Sequence, residues 1–201
     1  MAGILNKCIL PTVIACCCIL QRGFVPGRQL IQNAVDLDFH PRANAFSFYG
    51  HTGMQYQDSI DAALHWILNF LPLTVLFDFA AAFPSVAHRW LQSILKTINI
   101  PTGMLNAFST LYSGHEGFGK VGGILRWLFS VKCGILQGCP FSGTLFVIAI
   151  DPLLIMFEHY IHKPRLGAIY ACADDIGAAI RGPDVYPFCT DYLKGAGAPQ
   201  G

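Results

Sequence analysis

Residues 167–180 read GAIYACADDIGAAI, in which two apolar segments flank the acidic pair Asp174 and Asp175. Short apolar runs on either side of a polar turn are typical of a β-hairpin, so the pattern predicts a strand, a turn and a second strand. Packing alone does not require two adjacent acids at this place, and the turn is therefore a candidate for chemistry. A type I′ turn that happens to be acidic is the structural alternative.

A third acid, Asp78, lies in the apolar stretch 71–79, which is expected to form a fully buried strand. An ionised carboxylate in such a strand is costly unless a cation or a metal compensates its charge. If the strands are neighbours, Asp78 and Asp174 converge, and carboxylates that bridge two divalent ions suit in-line phosphoryl transfer. Spacing alone leaves open a structural role in which Asp78 caps the segment after it.

Other elements follow from apolar periodicity and from Gly and Pro punctuation. Helices are predicted over 29–39, 58–70, 84–99, 104–112 and 143–161, a loop over 41–57, and a flexible hairpin or loop over 113–123. A glycine-rich turn, 132–142, leads into the last of these helices. The N-terminus of that helix would suit a phosphate or a polarised substrate.

The composition excludes two classes of protein. Of the 201 residues, 53% are hydrophobic and 12% are charged, which excludes intrinsic disorder. The formal net charge of +1 excludes an autonomous, strongly basic nucleic-acid-binding domain. A role with nucleic acid must therefore be argued from a site.

The N-terminal segment and the cysteines bear on location. No window supplies 18 apolar residues without a charge, so no transmembrane span is predicted. Residues 4–20 are expected to form a buried helix, with a weak signal-peptide core or a membrane-associated segment as the alternatives. The eight cysteines lie in apolar runs without a C-x-x-C pair, and we expect reduced core residues in an intracellular protein of otherwise unknown location.

Three segments, in order, resemble motifs A, B and C of reverse transcriptases of the non-LTR retrotransposon type. They are LFDFAAAFPSV (76–86), GILQGCPFS (134–142) and CADDI (172–176). The segment QRGFVPGR (21–28) resembles the fingers motif that precedes them in the family. The resemblance covers about residues 20 to 180.

The resemblance implies an α+β fold: a polymerase palm, built as an antiparallel sheet with helices packed on one face, plus partial fingers, with the thumb absent. The implied domains are partial fingers over 1–70, a palm over 71–190 and a flexible tail over 191–201. Within the palm range, residues 101–131 could return to the fingers side.

The family's functional residues carry over position by position. Asp78 and Asp174 would bind two metal ions, and Asp175 would be a third catalytic acid beside the primer terminus. Phe83 would be the aromatic gate that excludes a ribose 2′-hydroxyl. The remaining implied substrate contacts are Gln137 on the incoming nucleotide, Gly138 and Pro140 against the template, and Arg28, with Arg22 as a weaker candidate, on the triphosphate.

The implied cofactor is a pair of Mg²⁺ ions, with Mn²⁺ as a substitute. The implied partners are an RNA template, a DNA primer and a deoxynucleoside triphosphate, with no membrane and no obligate protein partner. Cys172 departs from the family, which usually has an aromatic residue at that place. Because no later palm motif, thumb, endonuclease or zinc knuckle is recognised, we expect a truncated polymerase that is weak or inactive alone. A non-catalytic relic or an interaction module with a palm fold is the alternative.

Overall fold

A computed structural model gives the structure of the chain and describes residues 2–52, 64 and 71–197. The predicted helix over 58–70 lies outside the described residues, except for Leu64, which is helical. The chain divides into two compact units, each built from two segments. Unit 1 comprises Met1–Cys16 and Ala80–Ala149, and unit 2 comprises Cys17–Phe79 and Ile150–Gly201. The predicted fingers, palm and tail boundaries concern the lobes of the family and stay predictions.

Helices and strands alternate irregularly along the described residues. In chain order they are α1 (Ala2–Cys16), α2 (Leu30–Thr52), β1 (Leu73–Phe77), α3 (Ala82–Ser85), α4 (His88–Thr97), α5 (Thr102–Tyr112), β2 (Glu116–Val121), β3 (Ile124–Ser130), α6 (Ser142–Phe157), a π-helical segment (Glu158–His162), β4 (Gly167–Cys172), β5 (Asp175–Ile180) and α7 (Val185–Gly197). Helix α7 thus continues into the range predicted as a flexible tail.

The sheet of unit 2 has the strand order β1-β5-β4, with both pairs antiparallel. This confirms the hairpin predicted from residues 167–180. All five residues from Ile176 to Ile180 are buried, so the central strand is covered on both faces. Helix α2 packs against the sheet, where His40 Nε2 lies 2.9 Å from the Tyr170 hydroxyl.

The residues preceding Gly23 extend this sheet beyond β4. Gln21 forms a parallel bridge with Ala171. The Ala171 N–H donates to the Leu20 carbonyl at 2.9 Å, and the Arg22 N–H donates to the Ala171 carbonyl at 2.8 Å. The segment predicted as a turn over 21–28 therefore begins as a short piece of strand.

Strand β1 is not fully buried, and that prediction was wrong. Its residues alternate between half-buried and exposed, and the Leu76 side chain is 77% exposed. The physical reason is position: within the described sheet β1 lies at the edge and pairs only with β5. A run of apolar residues predicts a strand that is apolar on both faces. It does not show whether other elements cover both of these faces.

Two predicted helices differ in their limits. Helix α2 continues to Thr52 with Pro41 inside it, so the loop predicted from residue 41 is wrong as far as Thr52. The helix predicted over 84–99 is interrupted, because Ala87 is extended and bridges Cys133 between α3 and α4. The second difference arises from a tertiary contact, the bridge to Cys133, which overrides local propensity.

Unit 1 contains α1, the helices α3 to α5 and the hairpin β2–β3. The first strand and the turn of this hairpin lie in the range 113–123, which was predicted as a flexible hairpin or loop, and its second strand lies beyond that range. Helix α1 buries Ile9 and Val13 but leaves Ile4 70% exposed, so the expected buried helix is only partly buried. The prediction that the cysteines are core residues is also only partly correct, since Cys8, Cys16 and Cys133 are exposed.

The helical stretch Ser142–His162, α6 with its π-helical continuation, is 21 residues long with a mean hydropathy of 1.6 over its most apolar window. By length and composition alone it could cross a membrane. The sequence search did not predict this, because it required 18 apolar residues without a charge and this stretch contains Asp151. The core helix of a folded protein passes the same test, and 61% of that window is buried. Its burial and its internal Asp151 fit a core helix.

Candidate functional site

The three predicted catalytic acids lie at one end of the unit 2 sheet. Phe77, the last residue of β1, pairs with Ile176 in β5. Because the strands are antiparallel, the next residues along this register are Asp78 and Asp175. Asp175 also pairs with Cys172 across the β4–β5 turn, so the register brings Asp78 to the end of the sheet that carries the acidic turn.

The turn itself consists of Ala173 and Asp174, between Cys172 and Asp175. Ala173 has φ 57°, a left-handed conformation that is uncommon for a residue with a Cβ. Ala173 is nonetheless 7% exposed, so its surroundings hold this conformation. The strained residue directly precedes the first acid of the pair.

The acids are accessible to solvent. Asp78 and Asp175 are exposed and Asp174 is half-buried. Asp78 was expected to be buried and to need a compensating cation, and that expectation was wrong: Asp78 follows an edge strand and is exposed to solvent. The register still places the three carboxylates, which come from β1 and from the β4–β5 hairpin, at the same end of the sheet.

The chemistry of these side chains fits a hard divalent cation, because Mg²⁺ prefers carboxylate oxygens combined with substrate oxygens and water. Among the described residues, no group of three or more His, Cys, Asp or Glu side chains is arranged to hold a metal ion. A metal at this end of the sheet would need further ligands from substrate and water beside these carboxylates.

Phe83, the predicted gate, lies in α3 of unit 1. It is half-buried and stacks on Phe146, with ring centroids 4.6 Å apart and an interplanar angle of 15°. Its carbonyl accepts a hydrogen bond from the Ile135 N–H at 2.9 Å. The ring is thus held by packing on α6, and the backbone is tied to the segment that carries motif B.

The motif B residues of unit 1 form an open turn. Gln137, Gly138 and Pro140 are all exposed. Gly138 has φ 76°, and a Cβ there would meet nothing within 4 Å, so the backbone conformation and not crowding favours glycine. The turn closes where the Ser142 hydroxyl donates to the Leu136 carbonyl at the start of α6.

Arg28 makes hydrogen bonds to the backbone of its own unit. Its Nη1 donates to the carbonyls of Cys18 and Gln21, both at 2.6 Å, and its Nη2 donates to the Cys17 carbonyl at 3.3 Å. The guanidinium therefore fixes residues 17–21 of unit 2. Its contact with a triphosphate stays a prediction.

Arg22 lies in a different environment. Its Nη2 pairs with Asp36 Oδ2 at 2.6 Å, and its guanidinium carbon lies 4.6 Å from the centre of the Tyr170 ring. Its side chain is 11% exposed. These contacts anchor the segment against α2 and β4.

Sequence reasoning missed two polar interactions in unit 2, one of a buried side chain and one of a half-buried side chain. The Gln21 side chain is fully buried and hydrogen-bonds to Ala173. The Cys18 N–H donates to Asp151 Oδ1 at 2.6 Å, and burial raises the pKa of the Asp151 carboxyl. Burial likewise raises the pKa of the Cys18 thiol to about 12. The only signal in the sequence was a polar residue next to an apolar run, which does not name its partner.

Two solved structures resemble this fold. Apo telomerase from Candida tropicalis, truncated from its C-terminal domain, is 16% identical with a TM-score of 0.50, over 84% of this chain and 38% of the telomerase chain. Telomerase from the same organism in complex with a TWJ fragment of telomeric RNA is 12% identical with a TM-score of 0.51, over 88% and 35%. These likenesses confirm the predicted fold class and, at such identity, concern the fold alone.

The chain is also similar in sequence to a curated transposon protein. The Transposon TX1 uncharacterized 149 kDa protein of Xenopus laevis is 30% identical over 158 residues, which is 76% of this chain and 10% of the relative. The chain thus spans about a tenth of the length of that curated relative. The family model for reverse transcriptase (RNA-dependent DNA polymerase) matches residues 4–194. This chain belongs to the reverse transcriptase family.

Proposed function

We propose that the chain provides the acidic centre of a reverse transcriptase of the non-LTR retrotransposon type. The reaction is template-directed transfer of a nucleotide to the 3′ end of a primer. The observation that carries the proposal is the register of β1 and β5, which brings Asp78 to the end of the sheet that bears Asp174 and Asp175. The substrates are an RNA template, a DNA primer and a deoxynucleoside triphosphate.

In this proposal Asp78 and Asp174 are the ligands of two divalent ions, Mg²⁺ or in its place Mn²⁺. When bound, such ions polarise the phosphoryl group and activate the primer hydroxyl. Asp175, exposed beside Asp174, faces the primer terminus and holds its position by charge and hydrogen bonding. The open end of the sheet supports this arrangement, because substrate and water can reach the carboxylates.

The remaining roles belong to nucleotide and template recognition. Phe83 selects against a 2′-hydroxyl, and its packing on Phe146 supports a rigid gate. Gln137 contacts the incoming nucleotide, and Gly138 and Pro140 shape the turn that meets the template. For Arg28 the proposed triphosphate contact competes with its carbonyl contacts, so phosphate binding requires that the guanidinium exchange partners.

Binding of Mn²⁺ followed by electron paramagnetic resonance tests the proposal. We expect Asp78→Asn and Asp174→Asn each to lower Mn²⁺ affinity by about 100-fold or more, since even outer-shell partners of a metal contribute 10–100-fold. Asp184→Asn removes an exposed carboxylate of the same unit and is the matched control, with unchanged affinity expected. Binding that neither Asp78→Asn nor Asp174→Asn weakens would contradict the site.

A non-catalytic module with a palm fold is the second candidate. The observation that favours it is that no three metal-binding side chains meet among the described residues. It predicts a folded protein that binds no Mn²⁺ at the acids. Primer extension on an RNA template, abolished by Asp78→Ala, would exclude it.

A further inference from the structure

The side chain of Gln21 continues the backbone ladder between residues 20–22 and β4. The last backbone bond of this ladder joins Arg22 to Ala171 at 2.8 Å. Beyond it, Gln21 Oε1 accepts the Ala173 N–H at 2.9 Å, and Gln21 Nε2 donates to the Ala173 carbonyl at 3.4 Å. The side-chain amide thus pairs with Ala173 as a peptide group of a neighbouring strand would.

The same amide is fixed on its own side. Gln21 Oε1 also accepts the Gly23 N–H at 2.7 Å, and Gln21 is 0% exposed. A Cβ at Gly23 would lie 2.3 Å from the Ala173 nitrogen, so only glycine lets the chain pass this close to the turn. In addition, Arg28 Nη1 holds the Gln21 carbonyl at 2.6 Å. The glutamine therefore has little freedom to move away from Ala173.

We propose that Gln21 is a positioning residue that fixes the turn of the acidic hairpin. It pairs with both backbone groups of Ala173, the residue held at φ 57° directly before Asp174. By holding that conformation it sets the direction in which Asp174 and Asp175 present their carboxylates. The second half of this inference rests on the proposed function of the acids.

The first test needs no substitution. In the wild-type chain the Ala173 amide, although it lies in a turn, exchanges with solvent as slowly as the β5 amides, because its acceptor is buried. Hydrogen exchange followed by nuclear magnetic resonance measures it. Fast exchange at Ala173 in the folded chain would overturn the proposal.

The second test compares variants. Gln21→Met keeps length and apolar volume but removes both hydrogen-bonding groups, whereas Gln21→Glu keeps the acceptor oxygen. Val185→Ala, a truncation at a buried residue of the same unit, is the control for general loss of stability. We expect faster exchange at Ala173 and Gly23 and about tenfold weaker Mn²⁺ binding in Gln21→Met, partial recovery in Gln21→Glu, and neither effect in Val185→Ala.

Amide exchange at Ala173 tests whether Gln21 fixes the turn, and Mn²⁺ affinity tests the proposed function of the acids. If the wild-type chain binds no Mn²⁺ while Ala173 exchange depends on Gln21, the proposed function fails and the fixing of the turn stands. If Gln21→Met and Val185→Ala give the same exchange at Ala173, the fixing of the turn is disproved. If exchange changes but Mn²⁺ affinity does not, Gln21 does not position the acids.

Discussion

The Asp151 carboxylate lies within α6 and accepts the Cys18 N–H. Burial is the largest cause that raises its pKa from the ordinary 3.8, and the hydrogen bond from Cys18 and the charge of Arg28 act in the opposite direction. Above pH 3.8 the unfolded chain has lost a proton that the folded chain keeps. The free energy of unfolding therefore decreases as the pH rises through the interval up to the raised pKa.

We predict that Asp151→Asn removes this decrease, because asparagine keeps an oxygen for the Cys18 N–H and cannot ionise. Urea denaturation across about pH 4 to 7 measures it, and the variant should be more stable than the wild type at the upper end. Asp184→Asn, at an exposed position, is the control. A profile for Asp151→Asn that parallels the wild type would refute the assignment.

The sequence indicates which residues belong to the candidate site but not how each of them is surrounded in the fold. Asp78, Asp174 and Asp175 stand out in the sequence as an acidic set, and the register of the sheet brings them to one end. That Asp78 is exposed could not be predicted, because exposure depends on which strands and helices cover β1. The partner of Gln21 was equally hidden, since Ala173 is 152 residues away.

At the scale of the element, the connection from β1 to α3 contains a strained residue. Ala81 precedes α3 with φ 98° and ψ 48°, and it is exposed. A Cβ in the left-handed region costs roughly 1–2 kcal/mol, which glycine avoids. Motif A therefore stores strain between Asp78 and Phe83.

We predict that Ala81→Gly stabilises the protein by about 1 kcal/mol. This is the difference between the strain that glycine relieves and the entropy that glycine adds to the unfolded chain. This corresponds to a rise in Tm of about 2–4 °C, measurable by calorimetry. Ala80→Gly, also at an exposed position, should lower the Tm because no strain compensates the entropy. Equal effects of both substitutions would show that Ala81 is not strained.

Elements could be predicted where local pattern and tertiary context agree. The β4–β5 hairpin has apolar strands and a polar turn, and the structure contains it as expected. Strand β3 was not predicted: its sequence ILRWLFS is a short apolar run without strict alternation, and its pairing with β2 defines it as a strand although it is exposed along its whole length. Pro41 predicts the end of a helix, yet α2 continues through it.

At the scale of the whole molecule, 13 basic residues are nearly balanced by 12 acidic ones. Affinity for a primer–template comes mainly from cations that displace counterions from phosphates. We predict a Kd on the order of 10⁻⁴ M or weaker for an RNA–DNA duplex at physiological salt, and hence weak primer extension by these 201 residues. Fluorescence anisotropy with a labelled duplex measures it, and submicromolar binding would contradict the prediction.

The two-segment construction of unit 2 has a consequence for synthesis on the ribosome. Strand β1 ends at Phe77 but its partner β5 begins only at Asp175, so about 97 residues must be made in between. At about 5–20 residues per second this takes roughly 5–20 s. During that interval β1 lacks β5, its partner in the described sheet, and its apolar side chains are available to chaperones or to other nascent chains. The sheet that joins Asp78 to the β4–β5 hairpin can form only after β5 has been synthesised.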